Sequence, residues 1–301
     1  MPSGAGQLKH LRLFSLAGLL WLAANLCAQA TPQLERTAEL TWQIDAPWFG
    51  GFSGIEVLDN GSTLRLITDK GRIINAQMQR DETGALTAIT DTTWRKMRYR
   101  NGIGVKGPFT DSEGLALTPD GRMFVTFELR HRMAEVDPAT GIMTPLPGHA
   151  DFAGFGENSG LEALALHPDG RLFALPERSA SRQAPFNLYS FDGTRWRITG
   201  QLARRGPFQP VGADFDANGT LYLLERAVTP LGFRSRIRRF DPDKTQQSDT
   251  TLLTTAPARV DNLEGLSGWQ DAAGRTHLTL ISDDNFMAIQ RTQIIEYRLK
   301  E

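Results

Sequence analysis

One phrase recurs five times along this chain: an acidic or small residue, a short apolar strand, a turn containing Gly, a second apolar strand, and another acidic residue. It reads SGIEVLDNGSTLRLITD at 53–69, SEGLALTPDGRMFVTFE at 112–128 and LEALALHPDGRLFALPE at 161–177. It returns as VGADFDANGTLYLLE at 211–225 and LEGLSGWQDAAGRTHLTLISDD at 263–284. Aligning the residue before each first strand gives the column Ser53, Glu113, Glu162, Val211, Glu264, with steps of 60, 49, 49 and 53 residues. That is the period of a four-stranded blade, a unit that buries its faces only against its neighbours. The phrase predicts an all-β propeller.

Alternation and turn residues fill each unit out to four strands. RMAEVD (132–137) and GIMTPLP (141–147) complete one, NLYSFDG (187–193) and RWRITGQL (195–202) the next, and SRIRRFD (235–241) and TTLLTTA (250–256) the one after. The last unit supplies only a third strand, TQIIEYRL (292–299), so TAELTWQI (37–44) is expected to lie beside it and close the ring without a free sheet edge. Five blades follow. The long interval from Ser53 to Glu113 leaves six as the alternative, although the segment 67–97 is readily spent on one blade and a loop.

The first thirty residues read as a secretory signal rather than as part of the fold. Lys9, His10 and Arg12 precede the apolar run 13–26, which is short for a bilayer span, and Ala28-Gln29-Ala30 gives a small-x-small cleavage pattern. A lipidated Cys27 is disfavoured because Asn25 and Leu26 stand where a lipobox needs small residues. The expected product is one propeller domain over 31–301, periplasmic or secreted, without a transmembrane segment. Its only cysteine leaves with the signal, so neither disulfides nor thiolate metal sites are available. The chain carries 33 Lys and Arg against 34 Asp and Glu; losing Lys9 and Arg12 brings the net charge near minus three, with no basic cluster to recruit nucleic acid.

In a propeller, first strands line the central channel and second strands return beside them, so the start of one and the end of the other share a mouth. The PDGR turns at 119–122 and 168–171 lie at the opposite mouth as ordinary turn chemistry. The first-strand column supplies Glu113, Glu162 and Glu264, with Glu56 and Asp214 three residues further along their strands. The second-strand column supplies Asp69, Glu128, Glu177, Glu225, Asp283 and Asp284. So many carboxylates repel and raise one another's pKa unless a cation sits among them. All-oxygen ligation without cysteine points to calcium, with Glu113, Glu162, Glu264, Glu56, Asp214 and Asp69 as candidate ligands. Glu128, Glu177, Glu225, Asp283 and Asp284 are the candidate catalytic acids. Arg178, Arg226, Arg291 and Asn285 are candidate contacts for an anionic substrate. The plainer reading is a solvated rim of acids paired with arginines such as Arg178 and Arg226, which follow Glu177 and Glu225 directly.

Nucleophile motifs are missing: there is no GxSxG and no HExxH, and GFSG (51–54) is the first-strand phrase of its repeat. Of the histidines, only His131 in RHR invites a test.

FSGIEV, DSEGLALTPDGR, ENSGLEALALHPDGRLFALPER, LYLLER with RSRIRRFD, NLEGLSGW, LTLISDDNF and QRTQIIEY together resemble the phytase-like domain family, whose members are labelled esterase-like activity of phytase. The resemblance runs from about 49 to 299 and implies a propeller, export and a hydrolase activity, with calcium binding phosphate and activating water. Val211 departs from its acid pattern in the fourth blade. The expected function is a calcium-dependent phosphoesterase or esterase acting on a small anionic substrate. The alternatives are a non-catalytic envelope propeller that binds a glycan, peptide or partner protein, and a lactonase-like sugar hydrolase.

Overall fold

The computed structural model describes residues 32–157, 159–244 and 249–300. The expected leader over 1–30 lies outside them. Twenty strands form five antiparallel four-stranded sheets, each assembled from consecutive strands except the one that closes the ring. The first blade is Phe52–Leu58 (β2), Thr63–Thr68 (β3), Arg72–Arg80 (β4) and Leu86–Lys96 (β5). The second is Ser112–Leu117 (β6), Met123–Phe127 (β7), Arg132–Val136 (β8) and Met143–Pro145 (β9). The third is Leu161–Leu166 (β10), Leu172–Pro176 (β11), Phe186–Phe191 (β12) and Trp196–Leu202 (β13). The fourth is Gln209–Phe215 (β14), Leu221–Thr229 (β15), Gly232–Phe240 (β16) and Thr250–Thr254 (β17).

Asn262–Gln270 (β18), Thr276–Asp283 (β19) and Gln293–Lys300 (β20) make the fifth blade with Gln33–Thr41 (β1), which pairs along β20 from Gln33 opposite Lys300 to Thr41 opposite Gln293. The closing strand thus starts four residues earlier than its sequence pattern suggests. The long first interval holds no sixth blade, because β5 runs for 11 residues and a loop takes up the remainder. Among the described residues no helix is long and apolar enough to cross a membrane.

Strands buried on both faces read as continuous apolar runs, because successive side chains enter opposite interfaces. In β11, Leu172 and Ala174 pack toward the second blade, whereas Phe173 and Leu175 pack toward the fourth. Five such clusters, one between each pair of neighbouring blades, make up the core.

The feature that builds the site is a register shift repeated in all five innermost strands. It falls between Phe52 and Gly54, Ser112 and Leu115, Leu161 and Ala163, Pro210 and Gly212, and Leu263 and Gly265. Such a bulge re-aims the extra residue, and the residues it contains include Ser53, Glu113, Glu162, Val211 and Glu264, the five of the sequence column. A small residue follows each of them because the inner strands nearly touch. A Cβ on Gly212 would stand 2.6 Å from the Glu264 carbonyl oxygen and 3.1 Å from the Leu266 nitrogen. Below the column the channel is pinched by Ile55, Leu115, Leu164, Ala213 and Leu266 to a void of 10 Å³, room for about one water.

Candidate functional site

Above the pinch opens a cleft of 430 Å³ lined by eight carboxylates: Asp69, Asp111, Glu113, Glu128, Glu162, Glu177, Glu264 and Asp283. Arg178, Arg226, Asn262 and Asn285 share the wall. Backbone pairing explains the convergence. Asp69 donates its N–H to the Gly51 carbonyl, Glu128 to that of Asp111 and Glu177 to that of Gly160, while Asn262 lies opposite Asp283. Each second strand therefore ends beside the bulge of its own first strand.

The fourth blade obeys the same geometry with a different residue. There Arg226 lies opposite Gln209, and Glu225 lies one position back, opposite Pro210. A one-residue offset turns a side chain to the other face of the sheet, so Glu225 does not belong to the mouth. It is fully buried and bonds Arg236 Nε at 2.6 Å and Arg238 Nη1 at 3.1 Å, with Asp249 completing the network. Arg226, expected to orient substrate, instead spends its donors on the protein. It bonds Asn262 Oδ1 at 2.8 Å, Glu177 Oε1 at 3.2 Å and the Glu264 carboxylate, which makes it the internal counter-ion of the acids. Burial opposes its charge, but Glu264, Glu162 and Glu177 outweigh that cost and hold its pKa above the usual value.

Four further expectations are corrected by position. Glu56 and Asp214 do not reach the mouth: three residues along a strand is about 10 Å, which carries them past the pinch. There Ser267 Oγ lies 3.4 Å from an oxygen of each, and Gly268 N–H donates to Asp214 at 2.8 Å. Burial and each other's charge hold Glu56 well above its usual pKa, and burial lifts Asp214 to about 7. Asp284 accepts from Gly51 N–H, Phe286 N–H and Thr292 Oγ1, tying the fifth blade to the start of the first. The exposed Arg291 points toward Asp261 at 4.0 Å and does not line the cleft. Of the two remaining substrate candidates, Asn285 holds a left-handed backbone at the rim, with φ of 48°. Arg178 is 62% exposed beside Glu177 at 3.4 Å, which leaves its guanidinium accessible to a ligand.

Sequence reasoning missed Asp111, and its signal was the residue two before the column acid, opposite the end of the second strand. Oxygens of Asp111, Glu113 and Glu128 all lie within 4.8 Å of one another. Burial raises Glu113 strongly, reinforced by Glu162, Glu264, Asp111 and Glu128. Glu162 is raised likewise by burial and then by Glu128 and Glu177. Burial lifts Glu128 to about 7, against the Gly160 N–H that it accepts at 2.7 Å. Asp283 reaches about 8 through burial and Glu264. Burial also raises Asp69, Asp111 and Glu264, the last despite Arg226. One Asp69 oxygen is buried with no hydrogen-bond partner. Protons or cations must relieve this cluster, and its all-oxygen donors fit a hard divalent ion of the calcium type. His131 Nε2 lies 2.9 Å from the Gly156 carbonyl oxygen, and its ring packs edge-on to Phe155 at 5.7 Å.

Fold and site together define a five-bladed propeller with an acidic, water-accessible channel mouth. The sequence pattern of the phytase-like family, described as esterase-like activity of phytase, matches residues 47–286, and the chain belongs to this family. Among solved structures it is similar to the α-L-arabinofuranosidase of Podospora anserina in complex with cellotriose, at 11% identity and a TM-score of 0.51, covering 89% of this chain and 97% of that one. The catalytic domain of the Coprinopsis cinerea GH62 α-L-arabinofuranosidase gives 9% identity and 0.51, covering 88% and 96%. The calcium-binding protein regucalcin of Agrobacterium tumefaciens gives 11% and 0.48, covering 83% and 90%. At these identities the likeness to the two arabinofuranosidases is one of fold. No curated protein sequence matches the chain significantly.

Proposed function

We propose that the protein is a divalent-cation-dependent hydrolase of small anionic esters, with the acidic mouth as its active site. The observation that carries this reading is the convergence of Asp111, Glu113 and Glu128 on one point of a cleft that also presents the accessible guanidinium of Arg178. Those three carboxylates would hold calcium, with Glu162 and Asp69 lining the same cleft. Calcium held there would supply polarisation of the ester and activation of a water.

The remaining work falls to side chains. Arg178 binds the anionic oxygen of the substrate. Asp283, still protonated at pH 7, is the acid available to the departing alcohol. Arg226 ties the Glu177 and Glu264 carboxylates together through its guanidinium, so their repulsion does not spread the mouth.

Hydrolysis of a panel of phosphate and carboxylate esters, with calcium and with chelator, tests the reading. Calcium-dependent turnover supports it. Calcium binding without turnover on any ester would assign the mouth to ligand recognition alone. The same proposal places the protein in the periplasm or outside the cell, on the apolar leader and the small-x-small pattern at Ala30. N-terminal sequencing of the envelope fraction checks it, with a start near Thr31 expected.

A further inference from the structure

A second cavity, of 660 Å³, lies over the third blade on the same face as the mouth, and Arg178 lines both. Its chemistry is unlike that of the cleft. Among the described residues that line it, Asp151 and Arg178 are the charged ones, one of each sign. Phe155, Pro176 and Pro185 give it apolar wall, and Phe155 is held in place by ring contacts to Phe152 at 5.5 Å and Tyr189 at 6.4 Å.

The polar wall is a single chain of oriented groups. Gln201 Nε2 donates to Asn187 Oδ1 at 3.0 Å, Asn187 Nδ2 donates to the Tyr189 hydroxyl at 3.4 Å, and that hydroxyl donates to Asp151 Oδ2 at 2.8 Å. Burial, with Asp151 beside it, keeps the tyrosine a neutral donor, its pKa pushed up to about 12. The chain fixes the two amides before any ligand arrives. Each amide retains donors and acceptors beyond those it spends internally.

We propose that this cavity is the subsite for the alcohol portion of the substrate, and that it takes a neutral hydroxylated ring, a glycosyl unit whose ester reaches the mouth past Arg178. The inference rests on the reading of the mouth as an ester-hydrolysing site. Three properties select that ligand class. Balanced charge gives no advantage to an anion, which would meet Asp151, or to a cation, which would meet Arg178. Preoriented amides and a carboxylate match hydroxyl groups, which both donate and accept. A purely apolar ring would strip water from those groups and leave them unpaired, a cost that selects against it. The volume lies in the range of small-molecule sites, and the apolar wall of Phe155 and the prolines can receive the C–H face of a ring.

The test uses the whole protein with calcium and two substrates, glucose 1-phosphate and methyl phosphate. The expected result is a higher kcat/KM for the sugar ester. Asn187→Ala combined with Gln201→Ala should lower it by about tenfold, the effect of losing roughly one hydrogen bond's worth of transition-state binding. Methyl phosphate turnover should stay unchanged, because neither residue lines the mouth. Both side chains lie at the protein surface or half-buried, so the variant is expected to keep the wild-type Tm. Equal kcat/KM for the two substrates in the wild type, or an equal loss on both in the variant, overturns the subsite.

A calorimetric titration with methyl glycosides of glucose, galactose and arabinose separates this proposal from the one beneath it. Binding by the wild type that the double variant loses supports the cavity even if no ester is turned over. Absence of binding for every glycoside refutes it even if methyl phosphate is hydrolysed.

Discussion

Replacing Glu128 by Gln deletes one charge from the acidic mouth while keeping its shape, because the Gln carbonyl can still accept the Gly160 N–H. Glu128 is 7% exposed, and its pKa is lifted from 4.5 to about 7. At about 1.36 kcal/mol per unit, the ionised form costs the folded state up to about 3 kcal/mol, shared with its neighbours because the acids titrate together. The sign follows from proton binding. Between pH 4.5 and 7 the folded protein holds a proton that the unfolded chain releases, so raising the pH destabilises the wild type. Gln mimics the protonated form. In chelator the two proteins should therefore melt together at pH 4, and Glu128→Gln should pull ahead as pH rises to 7, then keep a constant lead. At pH 8 that lead is roughly 5–10 °C in Tm for a domain of this size. Added calcium should raise the wild-type Tm and leave the variant nearly unmoved. Glu135→Gln, which loses only the exposed pair with Arg122, should change Tm slightly and by the same amount from pH 6 to pH 8, where that carboxylate is ionised throughout. Thermal melts followed by circular dichroism measure all of this. A variant less stable than the wild type in chelator at pH 8, or a gap that ignores pH, would refute the account of the mouth as a strained cluster of like charges.

Calcium affinity should climb from pH 6 to pH 8, because the proton on Glu128 must leave first; a calorimetric titration with pH-independent affinity contradicts this. Arg226→Gln should destabilise the apo protein by about 3–5 kcal/mol at pH 8, since Glu177 and Glu264 lose their buried partner, and denaturant melts report the loss. Gly212→Ala should cost about 2–3 kcal/mol, because its Cβ meets backbone atoms of β18 that have no rotamer to change. Deleting residues 32–41 should leave the fifth blade with an open edge and shift the protein to aggregates on size exclusion.

The blade count, the closing strand and the column of five bulge residues could all be read from the sequence, because each follows from hydrophobic period and repeat spacing. The errors arose where matching residue types replaced counting positions. From Glu113 to Glu128 and from Glu162 to Glu177 the step is fifteen, and fifteen from Val211 reaches Arg226, whereas the eye stops at Glu225 because it is acidic. Asp111 went unnoticed since only its backbone pairing with Glu128 sets it beside the cluster. Glu56 and Asp214 share the inner strands with the true mouth residues, and nothing in the one-dimensional pattern marks the apolar pinch between the two levels.

The seam between β1 and β20 also dictates an order of events. Gln33 is among the first residues of the domain to be synthesised, yet its partner, Lys300, is among the last. Four blades can form from strands close together in the chain. The fifth must wait for contacts that span the whole sequence, where the entropy cost of loop closure is greatest. Until the final eight-residue strand arrives, β1 has no partner and the fifth blade consists of β18 and β19 alone.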